Sequence, residues 1–469
     1  MKLAVLIMAA GKGTRLKSRR PKVLHEIGGK PLLGHVIAAA RKLVDAADIF
    51  VVVGHQAERV EEALAATGVH FVLQSVQRGT GHAVQCALPA LEGYDHVLVL
   101  SGDVPLIRPE TITALRDFHL AQQASMTILT AAPEKPFGYG RIARKAAGSP
   151  EVTAIIEQKA LAPDQLALPE INSGIYAFAL PALTREISKL NTGNAHGEYY
   201  LTDMAALLVA AGDRVVAIEA AEAAEVLGAN TIAELVALDA TMRLNKARAL
   251  MTEGVTIFAP ETSRIDAEVE VGTDTILEPF VQLLGTTKVG NDCIIRSYSV
   301  LENMTVEDGV HIKRCCVLSD SSVGAGAQIG PFSHLRPGSD VGEEAHVGNF
   351  VELKKTRLGK KAKANHLAYL GDAEIGGGSN IAAGVITCNY DGEKKHRTIV
   401  GERVFVGSDS TLVAPVRLGD GSYIGAGSCI TEDVPAEALA IGRAHQTTKP
   451  GWVKRRREAR EQGKNIMGV

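Results

Sequence analysis

A glycine-rich loop with nearby cations lies close to the start of the chain. Gly11-Lys12-Gly13-Thr14-Arg15 is followed shortly by Lys22. Backbone N–H groups in such a loop can approach phosphate oxygens, and the cations can neutralise a polyphosphate. The loop is not G-x-x-x-x-G-K-[ST], which excludes a Walker P-loop, and its poor match to G-x-G-x-x-G argues against a dinucleotide fingerprint.

Asp103 is a further candidate for chemistry in the N-terminal half of the chain. A carboxylate that follows an apolar run, here Val97–Leu100, can hold Mg²⁺ against phosphate oxygens. Taken alone, the more ordinary role for an aspartate in Ser101-Gly102-Asp103 is that of a turn residue or helix cap.

His366 is the candidate general base of the second half. A lone histidine is usually a hydrogen-bonded surface or core residue, but Arg336 and Lys354 precede this one by 30 and 12 residues. The two separations differ by 18 residues. If the chain repeats at that interval, the cations can lie near the histidine and receive a sugar phosphate, while a neutral imidazole deprotonates an amine.

Buried strands and helices must position the first group. The apolar runs Leu3–Ala10, Ile49–Val53 and Val97–Leu100 predict strands buried on both faces, with helices at Leu32–Leu43 and Ala57–Ala66 between them. This alternation predicts an α/β fold with a mostly parallel sheet. Ligands bind at the carboxyl ends of such strands, where the glycine loop and Asp103 lie.

A six-residue repeat dominates the second half. It predicts a parallel β-helix in which three repeats close one coil and the aliphatic residue points inward, rather than a β-sandwich with chance spacing. The glycine that often follows is expected to allow positive φ and close backbone approach at corners. Thr387 to Val406 breaks the repeat, as functional excursions do. The repeating aliphatic residues are Val271, Leu277, Leu283, Val289, Ile295 and Leu301; Val323, Ile329, Leu335, Val341 and Val347; and Val406, Leu412, Leu418, Ile424 and Ile430.

A long helix is predicted between the halves. Thr231-Ile232-Ala233-Glu234 reads as a capping box. Asp239 and Arg243 interrupt an otherwise apolar face. The residues predicted for that face are Ile232, Leu235, Val236, Ala240, Met242, Ala247 and Leu250.

Composition limits the partners and the compartment. The 469 residues suffice for two or three domains, and a net charge of −3 offers no general attraction to nucleic acid. The basic cluster Lys454–Arg457 is interpreted as a solvated tail. Six cysteines without C-x-x-C spacing indicate free thiols in a reducing cytoplasm, and no apolar run is long enough to span a membrane.

Several short motifs together resemble a known family. The N-terminal ones resemble sugar-1-phosphate nucleotidyltransferases, and the set is similar to the bifunctional N-acetylglucosamine-1-phosphate uridyltransferase/glucosamine-1-phosphate acetyltransferase family over nearly the whole chain. The motifs are Ala9-Ala10-Gly11-Lys12-Gly13-Thr14-Arg15, Pro21-Lys22, Gln74, Gly79-Thr80-Gly81-His82, Gly102-Asp103-Val104-Pro105-Leu106, Gly138-Tyr139-Gly140-Arg141, Glu157, Ile171-Asn172-Ser173-Gly174, Gly197-Glu198-Tyr199-Tyr200 and Asn230.

The resemblance implies a uridyltransferase site in a Rossmann-like N-terminal domain. UTP is the co-substrate and UDP-N-acetylglucosamine the product, and Arg15 and Lys22 assist the chemistry. Asp103 and Asn230 bind Mg²⁺. The residues implied to bind UTP or UDP-N-acetylglucosamine are Met8, Ala9, Ala10, Gly11, Lys22, Gln74, Gly79, Thr80, Ser101, Gly102, Asp103, Gly140, Glu157, Asn172 and Asn230.

The resemblance also implies an acetyltransferase site on a left-handed parallel β-helix of hexapeptide repeats, assembled as a homotrimer. His366 is the base. Arg336, Lys354, Tyr369 and Asn380 are implied to bind glucosamine 1-phosphate. The residues implied to contact acetyl-coenzyme A are Ala383, Asn389, Tyr390, Ser408, Ala426 and Arg443.

The predicted organisation is a uridyltransferase domain at 1–229, a linker helix at 230–252 and a β-helix acetyltransferase domain with its tail at 253–469. The predicted function is acetyl transfer from acetyl-coenzyme A to glucosamine 1-phosphate, followed by uridylyl transfer from UTP with release of pyrophosphate. The expected location is the cytoplasm, without nucleic-acid or membrane partners. Two alternatives remain at this point: a nucleotidyltransferase with a β-helix used for oligomerisation or regulation, and a non-enzymatic scaffold with a nucleotide sensor.

Overall fold

The computed structural model describes residues 1–134, 136–146, 148–194 and 197–462. The chain forms two compact units. The first comprises Met1–Arg248 with Ile265–Ala267, and the second comprises Ala249–Arg264 with the chain from Glu268 onward.

The first unit is built on a mixed sheet whose order is β11-β7-β10-β6-β1-β4-β5, with β8 and β9 attached beside β10. Strands β1, β4, β5 and β6 are parallel, and β10 runs antiparallel between β6 and β7. A two-stranded hairpin, β2 and β3, stands apart. The strands are β1 (Leu3–Met8), β2 (Glu26–Ile27), β3 (Lys30–Pro31), β4 (Ile49–Val53), β5 (His70–Leu73), β6 (His96–Ser101), β7 (Met126–Ala131), β8 (Arg141–Arg144), β9 (Val152–Ile156), β10 (Ile171–Ala179) and β11 (Val215–Glu219).

Helices cover both faces of this sheet. In β1, Val5 and Ile7 enter one hydrophobic core, while Ala4 and Leu6 enter the other. Because successive side chains of a strand point to opposite faces, a strand with two buried faces must be apolar throughout. The helices of this unit are α1 (Leu32–Ala40), α2 (Ala57–Leu64), α3 (Thr80–Ala87), α4 (Pro109–Ala121), α5 (Leu180–Glu186), α6 (Met204–Ala210) and the long α7 (Ile232–Thr252), which runs on beyond Arg248.

The predicted α/β organisation is confirmed, with small differences at the ends of elements. The strand over Ile49–Val53 is confirmed as predicted, whereas β1 ends at Met8 rather than Ala10. The two predicted helices end earlier, at Ala40 and Leu64, because turns and a short 3₁₀ segment take up the remaining residues.

Helix α7 confirms the capping box but corrects the predicted apolar face. The Glu234 N–H donates to Thr231 Oγ1 at 3.2 Å, and Glu234 Oε2 accepts from the Thr231 N–H at 3.2 Å. Ile232 and Val236 are exposed, at 48% and 62%, whereas Leu238 is buried. The predicted apolar face is therefore wrong around the first turn of α7.

The charged residues that interrupt α7 are part of its packing. Arg243 is buried and donates to both carboxylate oxygens of Asp239, at 2.9 and 3.0 Å, and to Asp266 at 2.5 Å. Asp239 also accepts the Gly28 N–H of the β2–β3 turn at 2.8 Å. This charge network holds α7 against the hairpin of the first unit.

The second unit is a β-helix of three parallel sheets, called here face I, face II and face III. Face I contains Thr256–Ile257, Ile276–Leu277, Ile294–Ile295, His311–Ile312, Gln328–Ile329, His346–Asn349, Lys363–His366, Asn380–Ile381, Phe405–Val406, Tyr423–Ile424 and Leu439–Ala440. Face II contains Arg264–Ile265, Gln282–Leu284, Val300–Glu302, Val317–Ser319, His334–Arg336, Glu352–Lys354, Tyr369–Gly371, Ile386–Cys388, Thr411–Val413 and Cys429–Ile430. Face III contains Glu270–Val271, Lys288–Val289, Thr305–Val306, Ser322–Val323, Asp340–Val341, Arg357–Leu358, Ala373–Ile375, Thr398–Val400 and Val416–Leu418.

The predicted repeat and the left-handed β-helix class are confirmed. Val271 pairs with Val289 and Val289 with Val306, so a coil takes 18 or 17 residues. The predicted excursion is also confirmed: Ile381 pairs with Val406, and the extra residues form a loop between Cys388 and Thr398. Helix α8 (Trp452–Glu461) contains the basic cluster that was interpreted only as a solvated tail.

Except for Gly330, which has φ +94°, the glycines that directly follow the inward aliphatic residues serve close approach rather than positive φ. A Cβ on Gly342 would lie 2.7 Å from Lys360 N and 2.8 Å from Gly359 C, in the backbone of the next coil. Positive φ occurs instead three residues after the aliphatic position, often at residues other than glycine. Examples are Asp274, Phe280, Asp292 and Tyr298. The prediction of positive φ at the glycines that follow the aliphatic residues was therefore wrong except at Gly330, because the turn is usually made further along the chain.

Among the described residues, no helix has the length and apolarity needed to cross a membrane. All six cysteines are free thiols.

Gly342→Ala should destabilise the β-helix by about 1–3 kcal/mol, because the new methyl group meets backbone that cannot move without shifting a whole coil. Gly425→Ala is the matched control, since its Cβ would meet the Ile441 side chain at 3.1 Å rather than backbone. Calorimetric melting should show a lower transition temperature for the first variant alone. Equal melting temperatures for the two variants would contradict the close-approach explanation.

Candidate active sites

The predicted nucleotide site is built where β1 and β6 end side by side. Met8 pairs with Ser101, and the Gly102 N–H donates to Met8 O at 2.9 Å. A Cβ on Gly102 would lie 3.0 Å from that oxygen, so the missing side chain allows the strand ends to approach. Ala9 and Ala10 are buried beyond β1, while a Cβ on Gly11 would meet nothing within 4 Å. The loop therefore offers open backbone, as phosphate binding requires.

Four predicted site residues converge beside this loop. The Lys22 ammonium forms an ion pair with the Asp103 carboxylate and donates to Asn230 Oδ1 at 3.0 Å. Arg15 Nη2 donates to the same amide oxygen at 2.7 Å. Although Asp103 and Asn230 are far apart in sequence, their oxygens meet around one cationic group.

This cluster fits a magnesium ion. A carboxylate and an amide oxygen are hard oxygen donors of the kind that Mg²⁺ prefers. The Lys22 ammonium touches both oxygens, so it acts as a stand-in cation and shows that they converge on a positive charge. Gly228 was missed by the sequence reasoning: a Cβ there would lie 3.2 Å from Asp103 Oδ2.

The other residues predicted to bind the nucleotide lie between the end of β5 and the start of α3. Gln74 is buried, and its Nε2 donates to Gly79 O at 3.1 Å and lies 3.0 Å from His82 Nδ1. Gly79 has φ +109° and a Cβ there would lie 2.5 Å from Tyr199 O, so this position requires glycine. Thr80 Oγ1 accepts the Leu201 N–H at 3.0 Å, which ties the loop to a later segment.

The predicted sugar residues are gathered by β8, β9 and β10. The Asn172 N–H donates to Gly140 O at 2.9 Å, and Glu157 follows directly after β9. A change of register between Asn172 and Ile175 marks a bulge in β10, which re-aims the side chain at that strand end. Arg141 is 2% exposed and donates to Leu168 O at 2.9 Å. The role of Arg141 in holding this region was not predicted from the sequence, although a charged residue at the start of a buried strand can indicate such a role.

The second candidate site draws its residues from faces I and II. Arg336 pairs with Lys354 in the next coil, which confirms the interpretation of their 18-residue spacing. Tyr369 pairs with Glu352, and Asn380 pairs with Lys363 on the strand that ends at His366. Arg336 also forms a salt bridge with Glu352 at 3.0 Å.

A third cation, Lys395, was missed by the sequence reasoning. Its hydrogen bond and charge lower the pKa of Lys354, and Arg336 lowers it further, while Asp372 opposes them. Three positive groups thus meet at one place. A dianionic sugar phosphate would relieve their repulsion. The signal in the sequence was the run of cations in the excursion that interrupts the coils.

Asp391 holds that excursion in shape. Its carboxylate accepts the N–H groups of Lys394 at 2.7 Å and Glu393 at 2.8 Å, together with His396 Nε2 at 2.6 Å. These bonds, led by that of Lys394, keep the pKa of Asp391 well below its usual range. The buried Asn389 anchors the loop by donating to Asp372 Oδ2 at 2.5 Å, whereas Tyr390 is exposed.

Three of the six predicted acetyl-coenzyme A residues form a column above His366. Because Ala364, Ile381, Val406 and Ile424 are in register, the residues two places after each of them stack at one corner. Those residues are His366, Ala383, Ser408 and Ala426. Arg443 lies near the same end, 3.8 Å from the Cβ position of Gly427. The column above the histidine is therefore lined by small residues.

Known proteins resemble both units. Residues 5–174 match the family model of the MobA-like NTP transferase domain, and residues 397–432 match the hexapeptide repeat of succinyl-transferase. The bifunctional protein GlmU of Koribacter versatilis strain Ellin345 is 60% identical over 99% of this chain and 99% of its own length. Those of Solibacter usitatus strain Ellin6076 and Trichlorobacter lovleyi are 50% and 45% identical, over 97% of this chain and 98% and 99% of their own lengths.

The chain belongs to the GlmU family of bifunctional proteins.

Membership in the GlmU family confirms the predicted activity. The chain is a glucosamine-1-phosphate acetyltransferase and an N-acetylglucosamine-1-phosphate uridyltransferase of UDP-N-acetylglucosamine synthesis. The two alternatives, a single-activity nucleotidyltransferase and a scaffold with a nucleotide sensor, are therefore set aside.

Asp391→Ala should raise the KM for glucosamine 1-phosphate about three- to tenfold with little change in kcat, because the charge-assisted hydrogen bonds that present Lys395 are lost. Because the folded-state pKa of Asp391 is lowered, its carboxylate stays ionised and keeps these hydrogen bonds at any pH above the ordinary carboxyl pKa. The bonds are lost only as the pH falls through the lowered folded-state value. Steady-state acetyl transfer near neutral pH measures the effect. Glu393→Ala, in the same loop, is the control; a similar KM in both variants would contradict the role of Asp391.

Proposed function

We propose that the two reactions of this enzyme occur at the two clusters described above. The observation that carries the first assignment is the convergence of Arg15, Lys22, Asp103 and Asn230 beside an open glycine loop. The second assignment rests on the cations Arg336, Lys354 and Lys395, which meet on face II, together with His366 at the end of a face I strand.

In acetyl transfer, the cations hold the phosphate of glucosamine 1-phosphate, and Tyr369 and Asn380 contact the sugar. His366 removes a proton as the amine nitrogen attacks the thioester carbonyl of acetyl-coenzyme A. A C–N bond forms, the C–S bond breaks, and the coenzyme A thiolate leaves and is protonated. Ala383, Asn389, Tyr390, Ser408, Ala426 and Arg443 contact coenzyme A or its acetyl group.

In uridylyl transfer, the phosphate oxygen of N-acetylglucosamine 1-phosphate attacks the α-phosphorus of UTP in line, and pyrophosphate leaves. Gly140, Glu157 and Asn172 hold the sugar, and Arg15 and Lys22 offset the charge on the phosphates. Positioning and electrostatics carry such reactions, with little covalent work by the protein. The proposed nucleotide contacts run from Met8 to Gly11 and from Ser101 to Asp103, and include Gln74, Gly79 and Thr80.

Asp103 and Asn230 are the proposed magnesium ligands. When bound, Mg²⁺ supplies neutralisation of phosphate charge at this place. The Lys22 ammonium would then donate to phosphate oxygens instead of to the oxygens of Asp103 and Asn230.

The proposed assembly is a homotrimer formed by the β-helix. Exposed large side chains stack along the corner between faces I and II, where Phe280 lies 5.0 Å from Tyr298 and Phe332 lies 5.4 Å from Phe350 between ring centroids. Face III instead carries charged pairs such as Lys288–Glu270, as a solvated surface does. An apolar ladder of this kind supports contact with another copy.

We place the enzyme in the cytoplasm, where thiols stay reduced, and propose no nucleic-acid or membrane partner. The proposed functional division is the uridyltransferase domain at 1–229, the linker helix at 230–252 and the acetyltransferase domain at 253–469. Residues 463–469 of that last range lie outside the described residues.

Asp103→Ala should reduce uridylyl transfer on the order of 10²-fold or more and spare acetyl transfer, because a ligand that helps stabilise phosphate charge is removed. Mn²⁺ binding measured by calorimetry should weaken in parallel. Asp117→Ala, which removes an exposed carboxylate paired with Arg116 on α4, is the control. Near wild-type synthesis of UDP-N-acetylglucosamine by Asp103→Ala would make the metal assignment wrong.

His366→Ala should reduce acetyl transfer by about 10²–10⁴-fold, the usual contribution of a general base, and leave uridylyl transfer on supplied N-acetylglucosamine 1-phosphate unchanged. Both half-reactions and the melting temperature are measured on one preparation. His346→Gln is the matched histidine control. A fall of less than tenfold, or equal falls in both activities, would remove His366 from the role of base.

The double change Tyr298→Glu/Phe332→Glu should dissociate the trimer and abolish acetyl transfer while uridylyl transfer persists, because buried like charges would face one another across the contact. Light scattering at assay concentration measures the assembly. Thr305→Glu on face III serves as the control. A monomeric parent protein with full acetyltransferase activity would refute the trimer.

A further inference from the structure

Asn349 contacts His366 from the adjacent coil. The strands His346–Asn349 and Lys363–His366 are paired in register, and Asn349 lies opposite His366. Asn349 Oδ1 is 2.8 Å from His366 Nδ1. We propose that Asn349 is a positioning residue for acetyl transfer, which holds the His366 ring in the tautomer that can accept a proton at Nε2. This inference rests on the proposed role of His366 as the base.

The hydrogen-bond chemistry determines the tautomer. An amide oxygen only accepts, so the His366 nitrogen that contacts it must carry the proton. A neutral imidazole has a single N–H, and its other nitrogen therefore has a free lone pair. With the proton on Nδ1, Nε2 is the atom available to deprotonate the attacking amine. The reverse tautomer would have no lone pair at Nε2 and could not act there as a base.

The backbone fixes the position of Asn349. A Cβ on the preceding Gly348 would lie 1.9 Å from Asn365 O, so only glycine lets the two coils approach this closely. The Leu367 N–H donates to Asn349 O at 3.1 Å, and Phe350 makes the turn with φ +58°. The side chain of Asn349 thus leaves the corner directly beside His366.

The β-helix itself does not require asparagine at this corner. Two places after each inward aliphatic residue of face I, the other coils carry different side chains. These are Ala259, Pro279, Ser297, Arg314, Pro331, Ala383, Ser408, Ala426 and Gly442. Proline, serine and alanine all satisfy the same turn, so the coil geometry accounts for the position and not for the amide. The amide has a partner in the histidine of the next coil.

A second histidine lies close enough to complicate any pH measurement. The pKa of His346 is lowered by burial and then by Lys313, Lys363 and His366, which places it within the electrostatic reach of His366. Gln328 pairs with His346 from the coil below, so His346→Gln repeats a side chain that this ladder already accommodates. The titratable and charged side chains on strands next to His366 are His346 and Lys363 on face I and Glu352, Lys354 and Tyr369 on face II.

The test uses the full-length protein with His346→Gln as the parent, so that one histidine of this pair titrates. Asn349→Ala, Asn349→Ser, Asn349→Asp and His366→Ala are compared for kcat and for the KM of glucosamine 1-phosphate across pH. Uridylyl transfer and the melting temperature report folding. Serine and alanine occupy the same corner in other coils, so either variant can stand for the loss of the amide if the other fails to fold.

We expect Asn349→Ala and Asn349→Ser to lower kcat of acetyl transfer at least about tenfold, within the range of general base catalysis, with KM changed less than about threefold. Asn349→Asp should restore most of kcat at high pH and move the acid limb of the profile upward by about one pH unit, because a carboxylate favours the imidazolium. This shift is a result that a merely structural role would not produce.

A kcat of Asn349→Ala or Asn349→Ser within threefold of the parent, or an acid limb that Asn349→Asp leaves in place, would overturn the inference. His366→Ala separates the two levels of the argument. If it loses acetyl transfer while the Asn349 variants behave as the parent, only the positioning role fails. If His366→Ala keeps acetyl transfer, the proposed base fails and the inference fails with it.

Discussion

The alignment of each coil on the next is the constraint on which the second unit depends. Each face of a coil is a strand of two to four residues, so most of its backbone hydrogen bonds must go to neighbouring coils. Glycine at positions such as Gly342 and Gly348 lets those backbones approach within contact distance. A shift of one residue would turn the inward aliphatic side chains to solvent. The register is therefore strongly determined.

That register also builds the proposed acetyl-transfer site. Residues 17 or 18 places apart become direct neighbours, so Arg336 lies beside Lys354, and Asn349 beside His366. The coils tolerate an insertion where Ile381 pairs with Val406, because the chain returns to the same register afterwards. The inserted loop carries Lys395 and is held by Asp391. A regular scaffold can thus present an irregular segment in a defined conformation.

The first unit reaches a similar result through parallel strand ends. Because β1 and β6 end together, the glycine loop and Asp103 share one edge of the sheet. Asn230, at the start of α7, completes the cluster from a distant part of the sequence. Opposite charges meet in the first cluster, where Lys22 contacts Asp103, and like charges meet in the second, where Lys395 and Arg336 lower the pKa of Lys354. Phosphate groups on the substrates are the complement that such cation clusters favour.

Sequence periodicity alone determined an α/β unit and a parallel β-helix, whereas the left hand of that helix came from the family resemblance. Runs such as Leu3–Met8 are apolar throughout because both faces of the strand are buried, and the six-residue repeat follows from a side chain that must point inward on each face. The capping box at Thr231 could likewise be predicted, because its hydrogen bonds join residues only three positions apart. The motif resemblance identified the family and named the site residues, which periodicity could not do.

Tertiary structure decided what depends on contacts between distant segments. It showed that Arg243, which interrupts the apolar face predicted for α7, is buried there against Asp239 and Asp266. It moved the positive-φ turn away from the expected glycines, since close approach of the next coil, and not the local dihedral angle, excludes a side chain there. Lys395 and Asn349 became visible for the same reason: their partners lie in other coils, and a single sequence does not record which side chains the register brings into contact.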